Sequence, residues 1–391
     1  MRKLSADYIF TSVDLPLKRG ILVLEDDGTI LDVIDTHGDL KELANLEFYN
    51  GILVPGFVNC HGHLEFSWAR NSFPMHTGIS GFIESMISVR RKMPDIITEA
   101  CMAADSEMFA NGISVTADLC SSSDLLEIKS GSRISYVNFI EVLDSGKPAQ
   151  QVFDKAIQLL KESESRGIKA FVSPHSPYTV SSELFQIIKS NHYSSIYSIH
   201  NQESKDENSW FRNEKNSLTD LFLRFQLKPD PHLIKGLSSL QTICNYFPEA
   251  AHILLVHNVS TSPVDIEFAE SLSGDIYWVS CPNSNLYIGN LLPDYDIFRS
   301  GMCKIALGTD SLASNVSLSI FDEILTIHSF FPGIPLEELI QWGTINGARA
   351  LGLDTNFGSF EKGKNPGVVL LQNIDLLTFM PTAAASLKRI I

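Results

Sequence analysis

The sequence is short of the features that would staple, anchor or charge a protein for a large partner. Its six cysteines, Cys60, Cys101, Cys120, Cys244, Cys281 and Cys303, include no Cys-x-x-Cys pair, so neither a disulfide framework nor a cysteine zinc site is indicated. Packing in a reducing cytoplasm is their expected use. The lack of a Pro-Cys-x-x-Cys motif excludes the cysteine-ligated zinc deaminases that act on nucleobases in polynucleotides. Glycine-rich phosphate loops and a Gly-x-Ser-x-Gly nucleophile elbow are missing too. No apolar run approaches membrane-spanning length, and Asp7, Asp14 and Pro16 interrupt the start of the chain where a signal peptide needs an unbroken apolar stretch. Positive charge is scarce as well. With 30 Lys and Arg against 46 Asp and Glu, the formal charge of -16 repels phosphate backbones and anionic lipid head groups. The expectation is a cytoplasmic protein that meets a small-molecule substrate, not nucleic acid or membrane, with a homodimer left open.

What is present is ordinary globular composition, 44% hydrophobic and 19% charged over 391 residues, enough for one large or two modest domains. From about Ile52 to Ser311, eight short apolar or β-branched runs end in polar residues and are mostly separated by helix-compatible stretches. The first four close on His61, Asp118, Glu141 and His175, and the last four on His200, His257, Cys281 and Asp310. Eight strands alternating with helices predict an α/β fold, a parallel (β/α)8 TIM barrel whose βα loops gather those polar ends at one mouth. Outside it, the segments 8–10, 20–24 and 30–34 at the front and 367–371 at the back read as strands. Neither terminal piece is long enough to close a core alone. Both are expected to join in a small β-sandwich, residues 1–52 plus 353–391, beside a catalytic barrel of residues 53–352.

The chemistry sits at the strand ends. In His61-Gly62-His63 alternate residues of an extended segment point the same way, so both imidazoles can face one ion. Such a pair alone is a weak signal, but His200, His257 and Asp310 each occupy another strand end. Imidazole nitrogen and one carboxylate suit zinc or a similar divalent ion with a position left for water, which makes His61, His63, His200 and Asp310 the expected ligands. One ion is expected, zinc first, with iron or manganese accepted by the same donors. It would bring the pKa of a water from about 15.7 towards ~7, giving hydroxide as nucleophile. Glu203, three residues after His200, suits a general acid and base that protonates a ring nitrogen and later departing ammonia; the bland alternative is a solvated glutamate at a helix start. His257 reads either as a fifth ligand or as a partner of the water. Asp310 can hold the ion with one oxygen and accept a proton with the other. Glu65, two residues past His63, and His175 can face the mouth and bind substrate, as can Glu141.

The segment 53–63, Leu-Val-Pro-Gly-Phe-Val-Asn-Cys-His-Gly-His, resembles the opening motif of the amidohydrolase superfamily, and His200 with Glu203, His257, and Gly308-Thr309-Asp310-Ser311 are similar to the later signatures of its aminohydrolase branch. The likeness covers nearly the whole chain. It implies one zinc or iron on His61, His63, His200 and Asp310, with Glu203 and His257 serving proton transfer and water orientation. Two-metal relatives carry a bridging modified lysine at the end of strand four, where this chain has Ser173-Pro174-His175, so a single ion is implied. Within the branch, residues 63–67, 175–180 and 281–285 look most like aminodeoxyfutalosine deaminases of menaquinone biosynthesis. Gly62 departs from the larger residue often found between those histidines. The implied reaction is hydrolytic deamination of an adenine-type nucleoside at C6. Alternatives are an adenosine, S-adenosylhomocysteine or guanine deaminase, a triazine-type chlorohydrolase, and a silent binding barrel. Glu203 argues for the deaminases, because ammonia needs a proton to leave and chloride does not.

Overall fold

The computed structural model describes residues 1–90, 97–191, 195–248, 252–272 and 274–391. Eight parallel strands follow the eight apolar runs in order: Phe57–Gly62, Ile113–Cys120, Ser135–Val142, Lys169–Pro174, Ile196–Asn201, His252–His257, Asp275–Ser280 and Lys304–Leu307. The first four form one parallel sheet and the last four another, each in sequence order. Two seams join them into a ring. At one, Thr309 and Asp310 donate backbone N–H bonds to His61 O at 3.1 and 3.0 Å, and Gly62 bridges Asp310 in parallel. At the other, His200 N bonds His175 O at 3.1 Å, and Ser198 N bonds Ser173 Oγ at 3.2 Å, a side chain taking a backbone acceptor's place. This is the expected barrel. Strands of this kind are covered on both faces, which is why their sequences run continuously apolar and do not alternate. One buried cluster joins Val58, Val115, Val137, Phe139, Leu254, Val256 and Ala306 to Ala348 and Leu351, of which Ala348 belongs to the short helix Ile345–Ala350; a larger one packs the outer helices on the strands.

Both ends of the chain meet in one seven-stranded sheet. Its path runs Pro381–Arg389, Val368–Ile374, Leu46–Pro55, Arg2–Ile9, Ile21–Leu24 and Ile30–Ile34, with Leu17–Lys18 paired to Arg2–Ile9. Leu4, Ile9, Leu22, Ile30, Leu53, Phe360 and Leu370 form its own buried core. Arg389 ties it to the barrel: its guanidinium bonds Ile113 O and Ser114 Oγ, both at 3.1 Å, and lies 4.0 Å from the centre of the Phe109 ring. The six cysteines are free, five of them buried. No helix among the described residues is long and apolar enough to cross a membrane.

Candidate active site

The first strand is bulged against the second between Asn59 and Gly62, and a bulge beside a site re-aims the side chains that follow it. The ligand atoms of His61, His63 and His200 all lie within 4.8 Å of one another. Asp310 Oδ1 faces His63 Nε2 at 3.6 Å and His61 Nε2 at 3.9 Å. His200 Nδ1 is 2.6 Å from the His175 carbonyl, so Nδ1 carries the proton and Nε2 is left as a lone pair. The strand ends therefore bring the four expected ligands together. Gly308 makes this approach possible, since a Cβ there would stand 2.8 Å from His61 Cβ.

Burial pushes His61 well below the usual histidine range and His63 down to about 3, the latter against the charge of Asp310. His200 and His257 are lowered mainly by burial too. Neutral imidazoles keep the lone pairs a metal needs. For Asp310 burial acts upward, yet the neighbouring His63 and then His257 hold it below the ordinary aspartate value. Both nitrogens of His61, Nδ1 of His63 and Nε2 of His257 are buried without a hydrogen-bond partner. Unsatisfied polar atoms at this density are costly and call for an explanation, and a cation among them provides one.

His257 stands beside this group. Its Nδ1 is 2.8 Å from Asn285 Oδ1, and its Nε2 faces Glu203 Oε1 at 3.8 Å. Glu203 is no solvated helix-start residue: its side chain is 10% exposed, and burial pushes its carboxyl up to about 7. Glu141 Oε1 lies 3.8 Å from His200 Nδ1 and 4.0 Å from His175 Nε2, and His175 Nδ1 contacts Thr179 Oγ1 at 2.9 Å. Glu65 accepts from Ser121 Oγ at 3.0 Å; burial, reinforced by the charge of Glu141, pushes it up to about 7. All three expected substrate contacts thus gather on the side of strands two to four.

Several supporting residues escape a reading of the sequence. Glu207, fully buried, accepts the Gln202 N–H at 2.9 Å and holds the turn that carries Glu203. Ser284 and Ser314 donate to Asp310 Oδ2 at 2.6 and 2.9 Å. Asp118 accepts Leu64 N–H at 2.7 Å and pairs with buried Lys129 at 2.6 Å. Asp118 carried a signal as the polar end of the second apolar run, and Ser284 and Asn285 as part of the 281–285 motif.

A model of the amidohydrolase family matches residues 52–386. The chain belongs to the amidohydrolase family. Membership makes it a hydrolytic enzyme acting on carbon–nitrogen bonds. Among its relatives, an adenosine deaminase of Helicobacter pylori is 28% identical over 362 residues, covering 88% of this chain and 86% of that protein. An aminodeoxyfutalosine deaminase of Nitratiruptor is 28% identical over 342 residues, covering 84% and 81%. In structure, this amidohydrolase is similar to the Helicobacter pylori aminofutalosine deaminase solved with methylthio-coformycin, with a TM-score of 0.78, 24% identity, and coverage of 95% and 92%.

Proposed function

We propose that the protein is a metal-dependent deaminase that hydrolyses an adenine-type nucleoside at C6, with 6-aminodeoxyfutalosine, and so menaquinone biosynthesis, as the first assignment. The observation that carries the reading is the convergence of three imidazoles and Asp310 on one point, with buried imidazole nitrogens lacking partners and a buried carboxyl beside them. His61, His63, His200 and Asp310 fit one divalent ion, zinc first by donor chemistry. Bound there, the ion supplies a water acidic enough to act as a nucleophile near neutral pH. Glu203 protonates the ring nitrogen beside the amino-bearing carbon, which makes that carbon electrophilic, then takes up the proton given up by the added water and passes it to the departing ammonia. His257, with Nδ1–H donated to Asn285, offers Nε2 as an acceptor that orients the attacking water. Glu65, Glu141 and His175 bind the ring nitrogens and sugar hydroxyls, and the two carboxylates disfavour phosphorylated substrates. The names of the relatives support adenosine-type substrates.

The test is steady-state turnover of 6-aminodeoxyfutalosine, adenosine, S-adenosylhomocysteine, guanine and a chlorinated triazine, following ammonia and absorbance. Ammonia from 6-aminodeoxyfutalosine, with the highest kcat/KM of the set, is expected. If guanine or the triazine is turned over and no adenine nucleoside is, the substrate assignment is wrong.

A further inference from the structure

Glu323 lies on the helix Ile320–Phe330, away from the strand ends, and is fully buried. Buried carboxyls are rare unless paired, and no cation pairs with this one among the described residues. Its two oxygens go to two different segments at the barrel mouth. Oε2 accepts the backbone N–H of Asn283, in the first turn of the helix Pro282–Gly289 after strand seven, at 2.8 Å, and Oε1 accepts Asn315 Nδ2, in the loop after strand eight, at 2.7 Å. One turn further along the helix, Thr326 Oγ1 donates to Asn283 Oδ1 at 2.6 Å. Asn315 Nδ2 also donates to the Thr309 carbonyl at 2.8 Å, next to Asp310.

These two segments carry the groups that aim the side chains proposed to react. From the first come Ser284, donating to Asp310 Oδ2, and Asn285, accepting from His257 Nδ1; from the second comes Ser314, donating to the same Asp310 oxygen. We infer that Glu323 is a positioning residue that clamps the start of the helix Pro282–Gly289 to the loop after strand eight and so fixes the orientation of Asp310 and His257 together. The inference rests on the proposed roles of those two residues. Its basis is bidentate reach: a carboxylate offers acceptors on both sides, and both of its partners are donors. An amide in its place would turn an NH2 group towards one of them.

The test uses apo protein titrated with zinc against a chromophoric chelator, beside steady-state kinetics of the zinc-loaded enzyme. Glu323→Gln is expected to weaken zinc binding about tenfold and to lower kcat by roughly 10–100-fold, with KM within about twofold, the range typical of partners that orient ligands. Glu323→Asp keeps the charge but is too short to reach both segments, so it should lose as much; full rescue by Asp would mean that charge, not reach, matters and would overturn the inference. Thr326→Val removes only the bond to the Asn283 side chain, keeps both Glu323 bonds, and serves if the first variants fail to fold. It should lower kcat at least about threefold and leave zinc affinity unchanged, because both Glu323 bonds remain; unchanged kcat overturns the clamp. A wild-type protein that binds no zinc or releases no ammonia defeats the proposed function itself, whereas competent wild type with unaffected variants defeats only this inference.

Discussion

Lys129→Met tests whether the barrel wall behind the first histidine pair depends on a buried charge. Lys129 Nζ lies 2.6 Å from Asp118 Oδ2 and 2.9 Å from Asn138 Oδ1, and the Lys129 and Asp118 side chains are 1% and 3% exposed. Methionine fills much of the same space without the charge, leaving Asp118 buried with only the Leu64 N–H as partner. Breaking a buried pair by removing one partner costs about 3–5 kcal/mol, far more than the pair's net worth against an apolar substitute. At an average unfolding entropy of ~2.1 cal/mol/K per residue, 391 residues convert that loss into a fall in Tm of roughly 4–6 °C. The assay is a thermal melt followed by near-UV circular dichroism at one fixed scan rate. The double variant Asp118→Asn/Lys129→Met should regain at least about half of the loss, because an amide oxygen still accepts from Leu64 and no lone charge remains. Since Leu64 follows His63 directly, the single variant should also release metal faster on dialysis. A single variant melting within about 1 °C of wild type, or a double variant no better than the single, would refute the reasoning.

Elemental analysis of the purified protein should find about one divalent ion per chain, and Glu203→Gln should keep it while turnover falls by at least ~10²-fold, since an amide cannot shuttle protons. Asp310→Asn is expected to damage both metal retention and turnover; near wild-type rates in the Gln variant would reduce Glu203 to a bystander. Gly308→Ala would bring a methyl group within 2.8 Å of His61 Cβ and 3.0 Å of Cys281 Sγ. Overpacking of that kind costs about 1–3 kcal/mol, and here it should also displace His61, so a variant with wild-type Tm and metal content would count against the close approach.

The barrel and its candidate ligands were legible because a parallel strand covered on both faces must stay apolar until it leaves the sheet. The first polar residues beyond it are then the ones at the mouth. His61, His200 and His257 stand within or at the end of such runs, and Asp310 follows the strand Lys304–Leu307 by three residues. The strand Pro381–Arg389 offered no comparable signal, because most of its residues are exposed or only partly covered and three successive alanines replace the β-branched residues that mark a strand. Glu323 was hidden for a different reason. Asp322 and Glu323 are adjacent acids at a helix start, where both read as solvated, and only the packing of the helix turns the second inward.

Two of the site residues adopt an unusual backbone conformation. His257 has φ of 79° and Asp310 of 57°, a left-handed region that costs a residue with a Cβ of order 1–3 kcal/mol unless its surroundings impose it. Both also carry a side chain that is neutralised or held by named partners: Asn285 on His257, and Ser284 and Ser314 on Asp310. The apolar run ends where the chain must leave the strand direction, and that departure is what turns each side chain into the mouth. The end of a continuous apolar run reveals where the departure occurs, so the residues proposed to react can be found in the sequence. The hydrogen bonds that hold the strained conformation come from Asn285, Ser284 and Ser314, and through them from Glu323, up to 66 positions away from His257 along the chain. No local pattern encodes such a distance, which is why the sequence marks what the site contains while the structure shows what keeps it in place.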